Sequence, residues 1–119
     1  MSRFRKENKL EKRQALFRRI KAKFPERIPI ICERSAVASK DFPSIDKVKY
    51  LVPCGSTVGE FIANIRKRME IPAHQALFLF AGEKNILPPV AEPIEFLYDR
   101  EKSEDGFLYF QYSGENTFG

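Results

Sequence analysis

Chemistry in this chain has few places to start, and the first is its last residue. Gly119 closes the segment GFLYFQYSGENTFG, which runs from Gly106. A carboxylate that is to be transferred must be activated by ATP, held by a catalytic cysteine as a thioester and attacked by an amine. A terminal residue without Cβ can thread a narrow enzyme channel and meet the nucleophile without steric penalty. A glycine in last place also occurs by chance, so the rest of the chain must give it meaning. The other candidates are weaker. His74 is the only histidine, so Cys–His or Ser–His catalysis would have to use it. It lies in a polar loop between Pro72 and Gln75, which suits an exposed structural residue. Cys32 and Cys54 fall in or beside predicted strands, and without a secretory signal they read as reduced, packed thiols of a cytosolic protein. The sequence contains no clustered zinc ligands, no glycine-rich phosphate loop and no carboxylates placed side by side. It does not read as an enzyme, and neither a cofactor nor a metal is expected.

The elements that must position Gly119 belong to one small domain. A length of 119 residues allows one core and no second domain. Apolar residues make up 43%, led by 11 Phe, which is enough for a packed interior and argues against disorder. No apolar run is long enough to span a bilayer, and the basic start MSRFRKENK has no apolar segment behind it. Charge is divided unevenly. Residues 1–27 carry a net +8 and residues 28–119 a net −3. The basic character therefore belongs to the N-terminal segment. A solvated helix face, an anionic membrane surface, acidic partner peptides and nucleic acid all fit such a segment. Without a pattern of stacking aromatics around the cations, nucleic acid fits least well.

In chain order, residues 4–24 have helical periodicity: Leu10, Phe17 and Phe24 recur at heptad spacing, with Leu16 and Ile20 beside them. Pro25 ends that pattern. Ile28–Glu33 reads as a strand with Ile28, Ile30 and Cys32 on one face and Pro29, Ile31 and Glu33 on the other; its proline points to an edge position or to the strand's start. Residues 34–46 form a loop or wide hairpin. KVKYLVP, residues 47–53, follows as an edge strand guarded by lysines and proline, and such an edge is a template for an added peptide strand. Thr57 and Glu60 fit a capping box that opens a helix, with Phe61, Ile65 and Met69 on its core face. Pro72 lies past its end. A short apolar strand at 76–81 stops at Gly82, Ile86–Pro89 is a loop, and Ile94–Tyr98 makes one helical turn. Phe107–Tyr112 is a strand apolar on both faces, hence central, with Leu108, Phe110 and Tyr112 opposite Phe107, Tyr109 and Gln111.

Four segments, YSGENTFG at 112–119, KYLVP at 49–53, IRKR at 65–68 and EKR at 11–13, resemble the autophagy-related protein 8 family, including its GABARAP-like members. The resemblance runs over nearly the whole chain in order. It implies an α+β, ubiquitin-like β-grasp fold with two additional N-terminal helices, and the strand and helix order read from the residues agrees. The domain then divides into a helical extension at 1–25, a body at 26–112 and a flexible conjugation tail at 113–119.

By the same resemblance, Gly119 is joined to phosphatidylethanolamine by ubiquitin-like activating and conjugating enzymes and released by a deconjugating cysteine protease. The chain is then cytoplasmic, and bound to the autophagosomal membrane once lipidated. Cargo receptors with aromatic-x-x-aliphatic motifs would lie along the second strand. The aromatic pocket implied comprises Ile20, Pro29, Ile31, Lys49, Leu51 and Phe107, and the aliphatic pocket Tyr50, Val52, Pro53, Phe61 and Ile65. Arg27, Lys47 and Arg68 would meet acidic residues flanking the motif. Leu16 stands where relatives often carry glutamate, and Ser56 and Asn64 replace apolar residues, which bears on partner choice. A non-conjugated adaptor of the same fold, at trafficking or cytoskeletal sites, is the alternative. Nucleic acid is not an expected partner.

Overall fold

A computed structural model describes residues 2–115 of the chain. Two helices, α1 (Arg3–Glu7) and α2 (Leu10–Lys23), precede β1 (Arg27–Arg34), β2 (Lys49–Pro53), α3 (Val58–Met69), β3 (Phe78–Ala81), α4 (Ile94–Glu101) and β4 (Leu108–Ser113). The strands form one mixed sheet in the order β2-β1-β4-β3. β1 pairs with β2 antiparallel and with β4 parallel, and β3 pairs with β4 antiparallel. The aromatic strand is therefore central and the KYLVP strand is an edge, as their residues predict. Among the described residues no helix is long and apolar enough to cross a membrane.

Period-two alternation sorts the sheet's side chains into two clusters. Ile28, Ile30, Cys32, Leu108, Phe110 and Tyr112 face α3 and α4 in the larger core, with Phe61, Ile65 and Leu97. Ile31, Phe107 and Tyr109 face the other way, beneath the N-terminal helices, where Phe4, Leu16, Phe17 and Ile20 cover them. Pro29 is buried in an interior strand. Its ring is accommodated because it opposes Leu51 of β2, while pairing with β4 begins one residue later, at Ile30. The missing N–H thus costs no bond to β4.

Local signals explain most boundaries, and some differ from the periodicity. Helical character over 4–24 is interrupted at Asn8, whose extended backbone ends α1 while its side-chain amide donates to the Phe4 carbonyl at 3.0 Å. The capping box of α3 forms as expected: Thr57 Oγ1 accepts from Glu60 N at 3.2 Å, and Glu60 Oε1 accepts from Thr57 N at 2.9 Å. Arg66, Lys67 and Arg68 occupy its last turn, where cations favour the helix dipole. β3 begins at Phe78 and is two residues shorter at its start than its apolar run. α4 is eight residues long, exceeding the single turn predicted; Ile94 and Leu97 bury against the core, and Lys102 N closes its last turn on the Tyr98 carbonyl. β4 extends through Ser113, one residue past the predicted body.

Candidate functional site

Among the described residues β2 pairs with a strand on one side only, so its outer edge is open to a further strand, and its Leu51 carbonyl accepts from Arg27 Nη1 at 3.4 Å. Alternation directs Lys49, Leu51 and Pro53 to one face and Tyr50 and Val52 to the other. On the face shared with the N-terminal helices, Ile20, Ile31 and Phe107 of the six residues assigned to the aromatic pocket pack in one cluster, and strand pairing sets Pro29 opposite Leu51 and Ile31 opposite Lys49 on that face. Ile31 and Phe107 are buried as its floor, Pro29 is buried beside them, and Ile20 on α2 and Leu51 on β2 are half-buried. Lys49 is exposed, with Nζ 6.0 Å from the Phe4 ring. Phe107 meets the rings of Phe4 and Phe17 edge-on, at centroid distances of 5.7 and 6.0 Å. Leu16 is half-buried and packs against the same cluster, making that wall apolar.

The residues assigned to the aliphatic pocket sit differently. Tyr50, Val52, Phe61 and Ile65 all belong to the larger core, and none is more than 6% exposed. Tyr50 packs edge-on against Phe61 at 5.7 Å. A peptide side chain arriving there meets a surface backed by these residues, with Pro53 as the exposed member. Ser56 is half-buried and engaged, its carbonyl accepting from Ile94 N at 2.9 Å; Asn64 is exposed on α3.

Cations stand at both ends of β2. Arg27 is exposed opposite Pro53. At the other end, Lys47 Nζ and the Arg68 guanidinium lie 5.4 and 5.6 Å from the Tyr50 ring centre. Arg68 also reaches Asp46 at 3.8 Å, an exposed pair that contributes little to stability. Burial pushes the Tyr50 hydroxyl up to about 12, so it stays protonated and donates to the Lys47 carbonyl at 2.6 Å.

Sequence reasoning missed a polar cluster behind the aromatic pocket. Asp105 is fully buried as a side chain and accepts from Arg13 Nη1 at 2.7 Å, from the Tyr109 hydroxyl at 2.5 Å and from Phe107 N at 2.9 Å. Arg5 stacks over the Tyr109 ring at 4.0 Å and donates to Ser103 Oγ at 3.1 Å and to Glu83. That hydrogen bond from Arg5 holds the Glu83 carboxyl below its usual range. Glu33 anchors α1 by accepting from the Ser2 hydroxyl and, at 2.9 Å, from Phe4 N. The sequence places no carboxylates side by side, and Asp105 and Glu33 each act as a structural acceptor. The Asp105-Gly106 pair before an aromatic strand was the available signal, since this dipeptide marks a tight turn.

His74 is exposed. Cys32 is fully buried, which raises its thiol pKa, and Cys54 is half-buried; both are free. Among the described residues no group of three or more His, Cys, Asp and Glu could hold a metal ion. A cleft of about 480 Å³ lies between Ser2, Glu33, Arg34, Ile45 and Tyr112 and reaches Val48, just before β2. We assign the candidate site to the β2 edge instead, because a peptide docks on an edge and needs no enclosed cavity. Gly119 lies outside the described residues.

Comparison with known proteins adds independent findings. The family described as "Autophagy protein Atg8 ubiquitin like" matches residues 12–119. Autophagy-related protein 8 of Candida albicans is 52% identical over 118 residues, covering 99% of this chain and 84% of that protein. Autophagy-related protein 8d of Arabidopsis thaliana is 51% identical over 119 residues, covering 100% and 96%. A crystal structure of Trypanosoma brucei ATG8 superposes with a TM-score of 0.88 at 37% identity, covering 100% of this chain and 99% of that one.

Proposed function

This chain belongs to the autophagy protein 8 family of ubiquitin-like proteins, and from that membership we propose that it is a modifier joined through Gly119 to phosphatidylethanolamine. Activation by ATP, thioester transfer and amide formation are carried out by partner activating and conjugating enzymes, and a cysteine protease reverses the linkage. The chain is their substrate. It moves from the cytoplasm to the autophagosomal membrane on lipidation and recruits receptors carrying aromatic-x-x-aliphatic motifs.

One observation carries the recruiting role: the open edge of β2, with Leu51, shares a sheet face with the apolar cluster of Ile20, Ile31 and Phe107, with Arg27 at one end and Lys47 and Arg68 at the other. An extended peptide placed there gains main-chain hydrogen bonds from the edge and specificity from alternate side chains. Burying one aromatic side chain contributes about 4–6 kcal/mol gross. Ordering the peptide offsets much of this, which leads to micromolar affinity. The flanking cations favour acidic neighbours and speed association more than they tighten it.

The test is conjugation followed by mass spectrometry. The intact chain and a version lacking Gly119 are incubated with the family's activating and conjugating enzymes, ATP and phosphatidylethanolamine-containing liposomes. A gain of one lipid mass in the intact chain alone is expected. No gain, beside a relative that is conjugated in the same mixture, would leave a peptide-binding adaptor that acts through the β2 edge without a membrane anchor.

A further inference from the structure

Asp105 stands two residues before Phe107, at the turn leading into β4. Its Oδ1 accepts from Phe107 N, which orients the residue that floors the aromatic pocket. Its Oδ2 accepts from Tyr109 on the same strand and from Arg13 on α2. Arg13 Nε in turn donates to the Asn8 carbonyl at 3.0 Å, and the Asn8 amide holds Phe4. One carboxylate thus ties the corner between α1 and α2 to the strand carrying Phe107. The next residue completes the contact. Gly106 has φ +97°, and a Cβ placed there would lie 2.5 Å from the Phe17 ring. The helix therefore rests directly on the turn, and Ile20, the pocket residue of α2, lies one helical turn beyond Phe17.

Apolar packing alone would fix this helix loosely. Leu16, Phe17 and Ile20 cover the cluster beneath them, but hydrophobic attraction has no direction and tolerates sliding. A fully buried carboxylate does not. If α2 shifts, Arg13 and Asp105 lose each other, and the fully buried carboxylate is left where water cannot replace its partner. The pair selects one docked position for α2.

We infer that Asp105 is the positioning residue of the aromatic pocket: through Arg13 and Phe107 it sets the spacing between Ile20 on α2 and Phe107 on β4. It thereby decides how well an aromatic side chain is held. The inference rests on the reading of the β2 edge as the peptide site.

The experiment measures binding of two peptides, one with the aromatic-x-x-aliphatic motif and one with its aromatic residue replaced by alanine. The proteins are the full chain and its Asp105→Asn, Arg13→Lys and Tyr109→Phe variants, each checked for native amide dispersion by NMR. For folded Asp105→Asn, affinity for the aromatic peptide should fall about two- to thirtyfold, the range for residues acting through a packed network. Affinity for the alanine peptide should not change, so discrimination between the two shrinks. Tyr109→Phe, which removes one donor to the same carboxylate, should move discrimination the same way by less. Simple loss of stability would weaken both peptides equally, and that outcome overturns the inference, as does unchanged discrimination in folded Asp105→Asn. If that variant does not fold, Arg13→Lys and Tyr109→Phe decide the question by the same ratio. A wild-type chain without preference for the aromatic peptide overturns the peptide-site reading, and this inference with it; the two failures are told apart by the wild-type measurement.

Discussion

Replacing Gly106 with alanine should destabilise the fold by about 3 kcal/mol, from two sources that can be separated. The backbone at Gly106 has φ +97°, and holding an L-residue in left-handed space costs about 1–2 kcal/mol. The new methyl group would also lie 2.5 Å from Cδ2 and Cγ of Phe17, and overpacking of this kind costs about 1–3 kcal/mol. For 119 residues, an unfolding entropy of about 2.1 cal/mol/K per residue converts 3 kcal/mol to a fall of about 12 °C in Tm. Thermal unfolding followed by circular dichroism, with urea titration at constant m, reads this directly. Gly55→Ala is the control, because a Cβ there meets nothing within 4 Å; its stability should stay within about 0.5 kcal/mol of wild type. In a Phe17→Ala background the ring is gone, so Gly106→Ala should cost only the backbone share, about 1–2 kcal/mol. The reasoning fails if Gly106→Ala melts within about 2 °C of wild type. It fails equally if the full cost survives the loss of the Phe17 ring, since the contact would then contribute nothing.

Two other outcomes follow from local features. Thr57→Ala removes the hydroxyl that accepts from Glu60 N and should cost about 1 kcal/mol in urea denaturation; no change would mean that water replaces the cap fully. Tyr50, Tyr98 and Tyr109 are all pushed up to about 12, chiefly by burial. A phenol whose pKa is higher folded than unfolded stabilises the fold below its unfolded value of about 10, and that contribution is lost as pH rises towards 12. Phenolate absorbance should thus appear late and together with loss of circular dichroism. Titration near pH 10 in a chain that remains folded would contradict the burial assigned to these rings.

Much of the architecture was legible because its rules are local. Alternation over Ile28–Glu33 and Phe107–Tyr112 assigned each apolar side chain to one of two faces, and both clusters contain the residues so assigned. Lysines and proline marked β2 as an edge, and Thr57 with Glu60 marked the start of α3. The exceptions have physical reasons. Pro29 occupies an interior strand because β4 has not begun to pair where it sits. Asn8 breaks the helical run because its amide competes for the Phe4 carbonyl.

Element order, the two faces of the sheet and, through the motifs, the family were all readable from the residues alone. Which charged residues are buried, and which pocket residues are already packed, follows from how distant segments meet. Arg13 and Asp105 are 92 positions apart and each looks like surface solvation in its own segment. Phe61 and Ile65 lie on the core face that their spacing predicts, and the closing of α3 over the sheet buries Tyr50 and Val52 with them. Periodicity reports which way a side chain points from its own strand or helix. What it meets there depends on how distant segments close over it, and no local pattern encodes that.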